Sequence, residues 1–332
     1  MTTGLEDGGK EFVRRRIDYW RRVAECDGFD MEGVIIPRGI AGLSYVNCKH
    51  RHFRLRNSLP KIYAMAGLHR YNMLKGTNFQ HFDLLQFSKS GDFVRSYFIT
   101  SVAIDPCSQL QKTFQVRLDE KTYGNLDLTI SIARPTDEEK VTMKKPFIAH
   151  FHVEAVADAF YKGALPDWPS ADELNNRKRF YLVTESDLLA NDWIRLYLEL
   201  TLCVRHKGTS EVFVGFCCCC IQRDLSKLQI LTVAIETKED VQPPNARLKA
   251  KSAIVYITFK GLAEAEIGDE IGEHVERKAI VRRVLDECSG YLTLRGGFSN
   301  GEKPLHTAEQ TVTLPSGEDQ NLENECKRPR LD

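Results

Sequence analysis

Between Ile194 and Val204 the side chains alternate without a break. Ile194, Leu196, Leu198, Leu200, Leu202 and Val204 are apolar, and Arg195, Tyr197, Glu199, Thr201 and Cys203 stand between them. Consecutive residues of an extended strand point to opposite faces of a sheet, so this spacing predicts a strand with one buried and one wet face. Such a strand needs neighbours, because unpaired backbone groups along both of its edges would invite association.

Neighbours are available. Leu228 to Ile235 and Ala253 to Phe259 read as strands joined by the loop Glu236 to Arg247, which carries Pro243-Pro244. Lys278 to Leu285 and Tyr291 to Arg295 form a hairpin around Cys288-Ser289-Gly290. Earlier in the chain, Phe79 to Phe87, Phe93 to Ile104, Thr113 to Leu118 and Leu126 to Ala133 supply four more strands. A helix from about Leu59 to Lys75, stopped by Gly76, places Ile62, Met65, Ala66, His69 and Met73 on one side. Lys10 to Glu25 is an amphipathic helix, with Val13, Ile17, Trp20 and Ala24 at helical spacing and Arg14, Arg15, Arg16, Arg21 and Arg22 around them. Helix followed by runs of strands, without regular βαβ alternation, predicts an α+β fold with largely antiparallel sheets.

The expected organisation is a helix and extended arm over 1–57, a first unit over 58–135 with its helix packed on a sheet, and a linker over 136–176. A second β-rich unit over 177–298 and a disordered polar tail over 299–332 complete the chain. A length of 332 residues suits about two domains.

Composition narrows the function classes. Lys plus Arg equals Asp plus Glu at 46 each, so no overall field draws the chain to nucleic acid. The densest basic run, Lys49 to Arg56, does not change that balance. Val212 to Ile221, the longest apolar run, is ten residues long, and a helix needs ~20 to cross a bilayer. No membrane partner is expected. The opening residues lack a basic and apolar leader, which points to a cytoplasmic protein. In that compartment Cys26, Cys48, Cys107, Cys203, Cys288 and Cys326 read as thiols, and the contiguous Cys217 to Cys220 cannot converge on one metal from a strand.

Candidate chemistry is sparse. No phosphate loop, dinucleotide fingerprint or nucleophile elbow is present, so no cofactor is implied and an enzyme is not expected. His150, His152 and Glu154 share one face if extended and are the candidate metal ligands. His50 and His52 repeat the spacing, with Cys48 two residues earlier; they are expected to lie away from His150 and His152. Lys327, Arg328, Pro329 and Arg330 resemble a short nuclear-import signal.

Five segments carry a family resemblance. Gly67-Leu-His-Arg-Tyr-Asn-Met-Leu-Lys-Gly-Thr-Asn78, Phe160 to Pro169, Asp192-Trp-Ile-Arg-Leu-Tyr-Leu-Glu-Leu200, Val241 to Ala253 and Arg295-Gly-Gly-Phe298 resemble an expanded family of uncharacterised crucifer-plant proteins, a domain of unknown function distantly similar to plant cystatin-related proteins. The resemblance implies a cystatin/monellin-like fold, here as two such units. It also implies what to look for in a cysteine-protease inhibitor, a Gln-x-Val-x-Gly hairpin. The matching hairpin reads Ser90-Gly-Asp-Phe-Val-Arg-Ser96 and lacks that motif. The stretch Gly208 to Gln222 departs from the family pattern and reads as an insertion. The expected function is a non-enzymatic module that binds an unknown protein partner.

Overall fold

In a computed structural model of the chain, which describes residues 3–49, 58–138, 154–210, 225–261 and 274–299, the alternating segment is not a strand. It lies within a helix, Trp193–Ser210. At 3.6 residues per turn, apolar residues two apart spread around the whole helix circumference, which is stable only if the helix is enclosed. Enclosure is what is found. Leu196, Leu198, Leu200, Leu202 and Val204 are buried, and so are Tyr197 and Thr201, which a strand would have turned to water. Leucine is a strong helix former and only Ile194, Thr201 and Val204 are β-branched in the stretch, so local propensity agrees.

In chain order the principal elements are α1 (Thr3–Glu25), β1 (Leu43–Asn47), α2 (Ser58–Lys75), β2 (Gln80–Ser90), β3 (Ser96–Ile104), β4 (Gln111–Glu120), β5 (Leu126–Pro135), β6 (Phe180–Leu182), α3 (Trp193–Ser210), β7 (Gln229–Glu236), β8 (Ser252–Lys260), β9 (Arg277–Leu285) and β10 (Leu292–Ser299). Two strands had not been anticipated. The arm expected to be irregular from Asp27 to Asn57 contains β1, whose Ser44, Tyr45 and Val46 pair with β2 despite the glycines around them. β6 has three residues, too few to display a period.

The strands form one ten-stranded sheet in the order β1-β2-β3-β4-β5-β10-β9-β8-β7-β6, with every neighbouring pair antiparallel. The sheet has two halves, β1 to β5 and β6 to β10, and the first takes in β1 from the segment expected as an arm. Each half runs strand, helix, four strands, and the last strands of the halves, β5 and β10, pair at the centre. Leu128 lies opposite Leu294 and Ile130 opposite Leu292 in that seam. Joining the halves covers one open edge of each, β5 and β10. The described residues fall within one compact unit, Met1–Asn300.

Both α2 and α3 lie on one face of the sheet and share a core with it: Tyr63 and Ala66 of α2 and Leu198 and Leu200 of α3 join Val116, Leu118, Leu128 and Leu294. Fully burying a leucine or valine side chain contributes ~1.5–3 kcal/mol. Arg70 of α2 ties the halves together, donating to Gly290 O (2.5 Å) and Ala133 O (3.4 Å). On the opposite face, Tyr19 and Val23 of α1 pack with Phe29, Met31, Leu43 and Phe98. A separate apolar cluster on Phe180, Ile254, Tyr256, Ile280 and Val284 includes Ala155 and Tyr161.

Candidate functional site

Glu154, the described member of the predicted metal triad, begins the segment that crosses the second half of the sheet. His150, His152, His50 and His52 lie outside the described residues, as do Cys217 to Cys220 and Lys327 to Arg330. The Glu154 carboxylate accepts Lys121 Nζ at 2.8 Å and lies 3.7 Å from Arg295. The Lys121 hydrogen bond holds its pKa below the usual value. A carboxylate bound in this way stays anionic, with Oε1 hydrogen-bonded to Lys121 and ion-paired with Arg295. Among the described residues no group of three His, Cys, Asp or Glu side chains is placed to hold a metal.

Glu154 lines a cavity of about 300 Å³ together with Tyr161, Lys162, Arg282, Thr293 and Arg295. Asp158 caps the short helical turn Ala159–Tyr161 by accepting Phe160 N, and Gly163 follows with φ +76°, a conformation glycine adopts freely. The turn aims three successive carbonyls at Arg282. Nη1 donates to Lys162 O and Ala164 O, and Nη2 to Gly163 O. Arg295 donates to Gly163 O and Asp127 Oδ2. Burial first, then the neighbouring Arg295 charge, lowers the pKa of Arg282. These cations hold the segment on the sheet.

A second polar cluster sits between the helices. His69 Nε2 lies 3.0 Å from Tyr197 OH, and its ring stacks on Trp193 at 5.8 Å. The wholly buried Arg283 lies over the Trp193 ring at 4.5 Å and donates Nη2 to Ala250 O and Leu248 O. Among the described residues no carboxylate pairs with it. Burial first, and the Arg283 charge second, lower the His69 pKa to about 3. Above pH 6.5 the imidazole is neutral folded and unfolded; between 6.5 and about 3 only the unfolded chain takes the proton. Stability is therefore expected to fall as pH drops through that window, by ~1.4 kcal/mol per pH unit from this group. Urea midpoints measured from pH 7 to 5 should show a shallower slope in His69→Gln than in the wild type, and equal slopes would remove His69 as the source.

The five segments that carry the family resemblance converge on these two clusters. His69, Trp193 and Tyr197 come from two of them, and Leu248 and Ala250, which receive Arg283, come from a third. Gly163 and Arg295 bring together the remaining two. Neither Arg282 nor Arg283 stood out in the sequence, where both fall within the predicted strand Lys278 to Leu285. The resembling segments were the one available signal.

α1 presents a different surface. Val13 and Ile17 are 53% and 61% exposed, while Tyr19 and Val23 anchor the helix. Among the described residues, no helix is long and apolar enough to cross a membrane.

Comparison with known proteins places the chain. The UPF0725 protein At3g19520 of Arabidopsis thaliana is 64% identical over 92% of this chain and 95% of its own length. The chain belongs to the UPF0725 family. The putative UPF0725 protein At1g28500 of the same plant is 45% identical, with 97% of each chain covered. The family model described as Protein MS5 matches residues 165–294, which take in α3 and β6 to β9 with the first three residues of β10. The crystal structure of MS5 from Brassica napus is similar at a TM-score of 0.52 and 28% identity, covering 73% of this chain and 97% of that one. The UPF0725 relatives are uncharacterised plant proteins, so the resemblance to an expanded plant family of unknown function holds. In this UPF0725 chain the α+β class with a large antiparallel sheet holds as well.

Proposed function

We propose that this UPF0725 protein is a non-enzymatic protein-binding module that works inside the cell, with α1 as a principal contact surface. The observation that carries this reading is the solvent-facing row of Val13 and Ile17 on a helix whose neighbouring face, with Tyr19 and Val23, is already buried. Large apolar side chains aligned on one face of an anchored helix have no folding role in that place, and partner recognition is the common use of such faces. The polar residues at the two clusters support the same reading from the other side: Glu154, Arg282, Arg283 and His69 are committed to holding segments together.

The strand–helix–four-strand order of each half is compatible with a cystatin-like origin. The hairpin between β2 and β3 exposes Phe93 but has no Gln-x-Val-x-Gly wedge, so protease inhibition is not the reading preferred. A metal-dependent enzyme built on His150, His152 and Glu154 would first have to release Glu154 from Lys121. The run Lys327 to Arg330 is retained as a nuclear-import candidate.

Affinity purification from the source tissue on immobilised full-length protein tests the proposal, with wild type and Val13→Glu/Ile17→Glu compared side by side. The variant should keep the wild-type circular dichroism, since both positions are exposed, and lose a set of proteins that the wild type retains. An identical set on both columns would sink α1 as the contact surface.

A further inference from the structure

The partner surface on α1 is specific in both spacing and charge. Val13, Ile17, Trp20 and Ala24 follow one another at intervals of four, three and four residues, the spacing of a two-stranded coiled-coil seam. Tyr19 and Val23 lie roughly a third of a turn away around the helix and fasten it to Phe29, Leu43 and Phe98. The seam therefore runs alongside the body and faces outward: Val13, Ile17 and Ala24 are exposed and Trp20 is half-buried.

Apart from Val23, which is buried against the body, the residues that flank this seam are arginines. Arg14 and Arg21 follow Val13 and Trp20 on one side, and Arg16 precedes Ile17 on the other. In a paired helix these are the positions that meet the partner's flanking charges and set its identity. Glu11 and Asp18 lie further round the helix: Glu11 pairs with Arg14 at 3.6 Å and Arg15 at 2.9 Å, and Asp18 with Arg21 at 3.0 Å. These ion pairs are solvent-exposed and therefore weak, and the five arginines Arg14, Arg15, Arg16, Arg21 and Arg22 outnumber the two carboxylates, so the seam's borders keep a net positive charge.

We infer that α1 docks an amphipathic helix of another protein whose apolar seam is bordered by aspartate and glutamate. This rests on the protein-binding reading and gives its partner a chemistry. A second copy of this chain does not fit, because pairing α1 with itself in either direction sets arginine against arginine, and like charges across an interface disfavour that partner. An anionic membrane fits less well. An interfacial helix buries a broad apolar face, and here the rest of the apolar arc, Tyr19 and Val23, is spent on the protein's own core.

The test uses the full chain and two labelled, designed four-heptad helices with isoleucine and leucine along the seam. One has glutamate at every bordering position and the other lysine. Fluorescence anisotropy should show the glutamate helix binding at least tenfold more tightly than the lysine helix, and Ile17→Glu should weaken that binding at least tenfold. Arg14→Glu/Arg21→Glu should reverse the preference toward the lysine helix, a gain that a misfolded variant cannot produce. Equal affinity for both helices, binding of neither, or binding indifferent to Ile17→Glu would overturn the inference. So would sedimentation of the chain with phosphatidylserine vesicles that Ile17→Glu abolishes, or a dimer that the same substitution converts to monomer. If neither designed helix binds while the tissue purification still yields α1-dependent proteins, protein binding stands and only the acidic-helix partner is lost.

Discussion

Replacing Tyr197 with alanine should destabilise the protein by about 3–5 kcal/mol, the range for removing a large aromatic side chain from a core. Tyr197 is fully buried, stacks edge-on against His69 and Trp193, and lies beside the Arg283 guanidinium. Its removal opens a void between α2, α3 and the sheet, and it leaves His69 Nε2 without its phenol partner. A buried polar atom deprived of its hydrogen bond adds ~1–3 kcal/mol to such a loss, so the upper part of the range is the better expectation. Had the segment been a strand with Tyr197 on its wet face, the same substitution would change stability by no more than ~0.5 kcal/mol. Urea denaturation of wild type and variant separates the two outcomes. A shift within error of zero would mean that Tyr197 is not enclosed and that the helix assignment fails with it.

Gly67→Ala is expected to have the second largest effect. In an exposed helix this change would stabilise by ~1 kcal/mol through helix propensity. At Gly67 a Cβ would lie 2.4 Å from both Cγ1 and Cγ2 of Val116 on β4, far inside van der Waals contact. The valine is itself wholly buried and cannot swing into solvent. Overpacking of this kind costs ~1–3 kcal/mol and on occasion more, and it outweighs the propensity gain because α2 would have to lift off the sheet. Ala64 and Ala66 beside Gly67 show the same demand for small side chains where the helix meets β3 to β5. The double variant Gly67→Ala/Val116→Ala provides the control. It removes the obstructing methyls, so part of the lost stability should return. A double variant as unstable as the sum of the two single changes would mean that the collision is not the cause.

Much of the first half was legible because its elements obey one period each. The helix read at Leu59 to Lys75 is Ser58–Lys75, and the strands read at Thr113 to Leu118 and Leu126 to Ala133 extend by a few residues into β4 and β5. The hairpin around Cys288-Ser289-Gly290 is equally local: Asp286 accepts Cys288 N and Ser289 Oγ, so the turn forms from its own side chains. At Ile194 to Val204 two local signals disagreed. The period was that of a strand and the propensity that of a helix, and burial on all sides decided for the helix.

The candidate sites divide in the same way. The row Val13, Ile17, Trp20 and Ala24 was visible as a helical pattern, because amphipathic spacing is written in consecutive residues. Its exposure was not visible, since the same spacing serves equally for a row that faces the sheet; only the packing of Tyr19 and Val23 against Phe98 turned it outward. For Glu154 the alternation with His150 and His152 suggested ligands, yet its partners proved to be Lys121 and Arg295, distant in sequence and brought close by the pairing of β5 with β10.

By itself the sequence determined the class of the fold, most of its strands, the amphipathic nature of α1 and the absence of familiar catalytic motifs, all of which depend on neighbours within a few residues. Tertiary structure alone decided that the two halves form one sheet, that α3 is a helix enclosed by α2 and that sheet, and that Arg282 and Arg283 each meet backbone carbonyls from distant segments. The physical reason is the range of the interactions. Period and propensity act along the chain, whereas the docking of β5 on β10 and the burial of Tyr197 against His69 join residues more than a hundred positions apart.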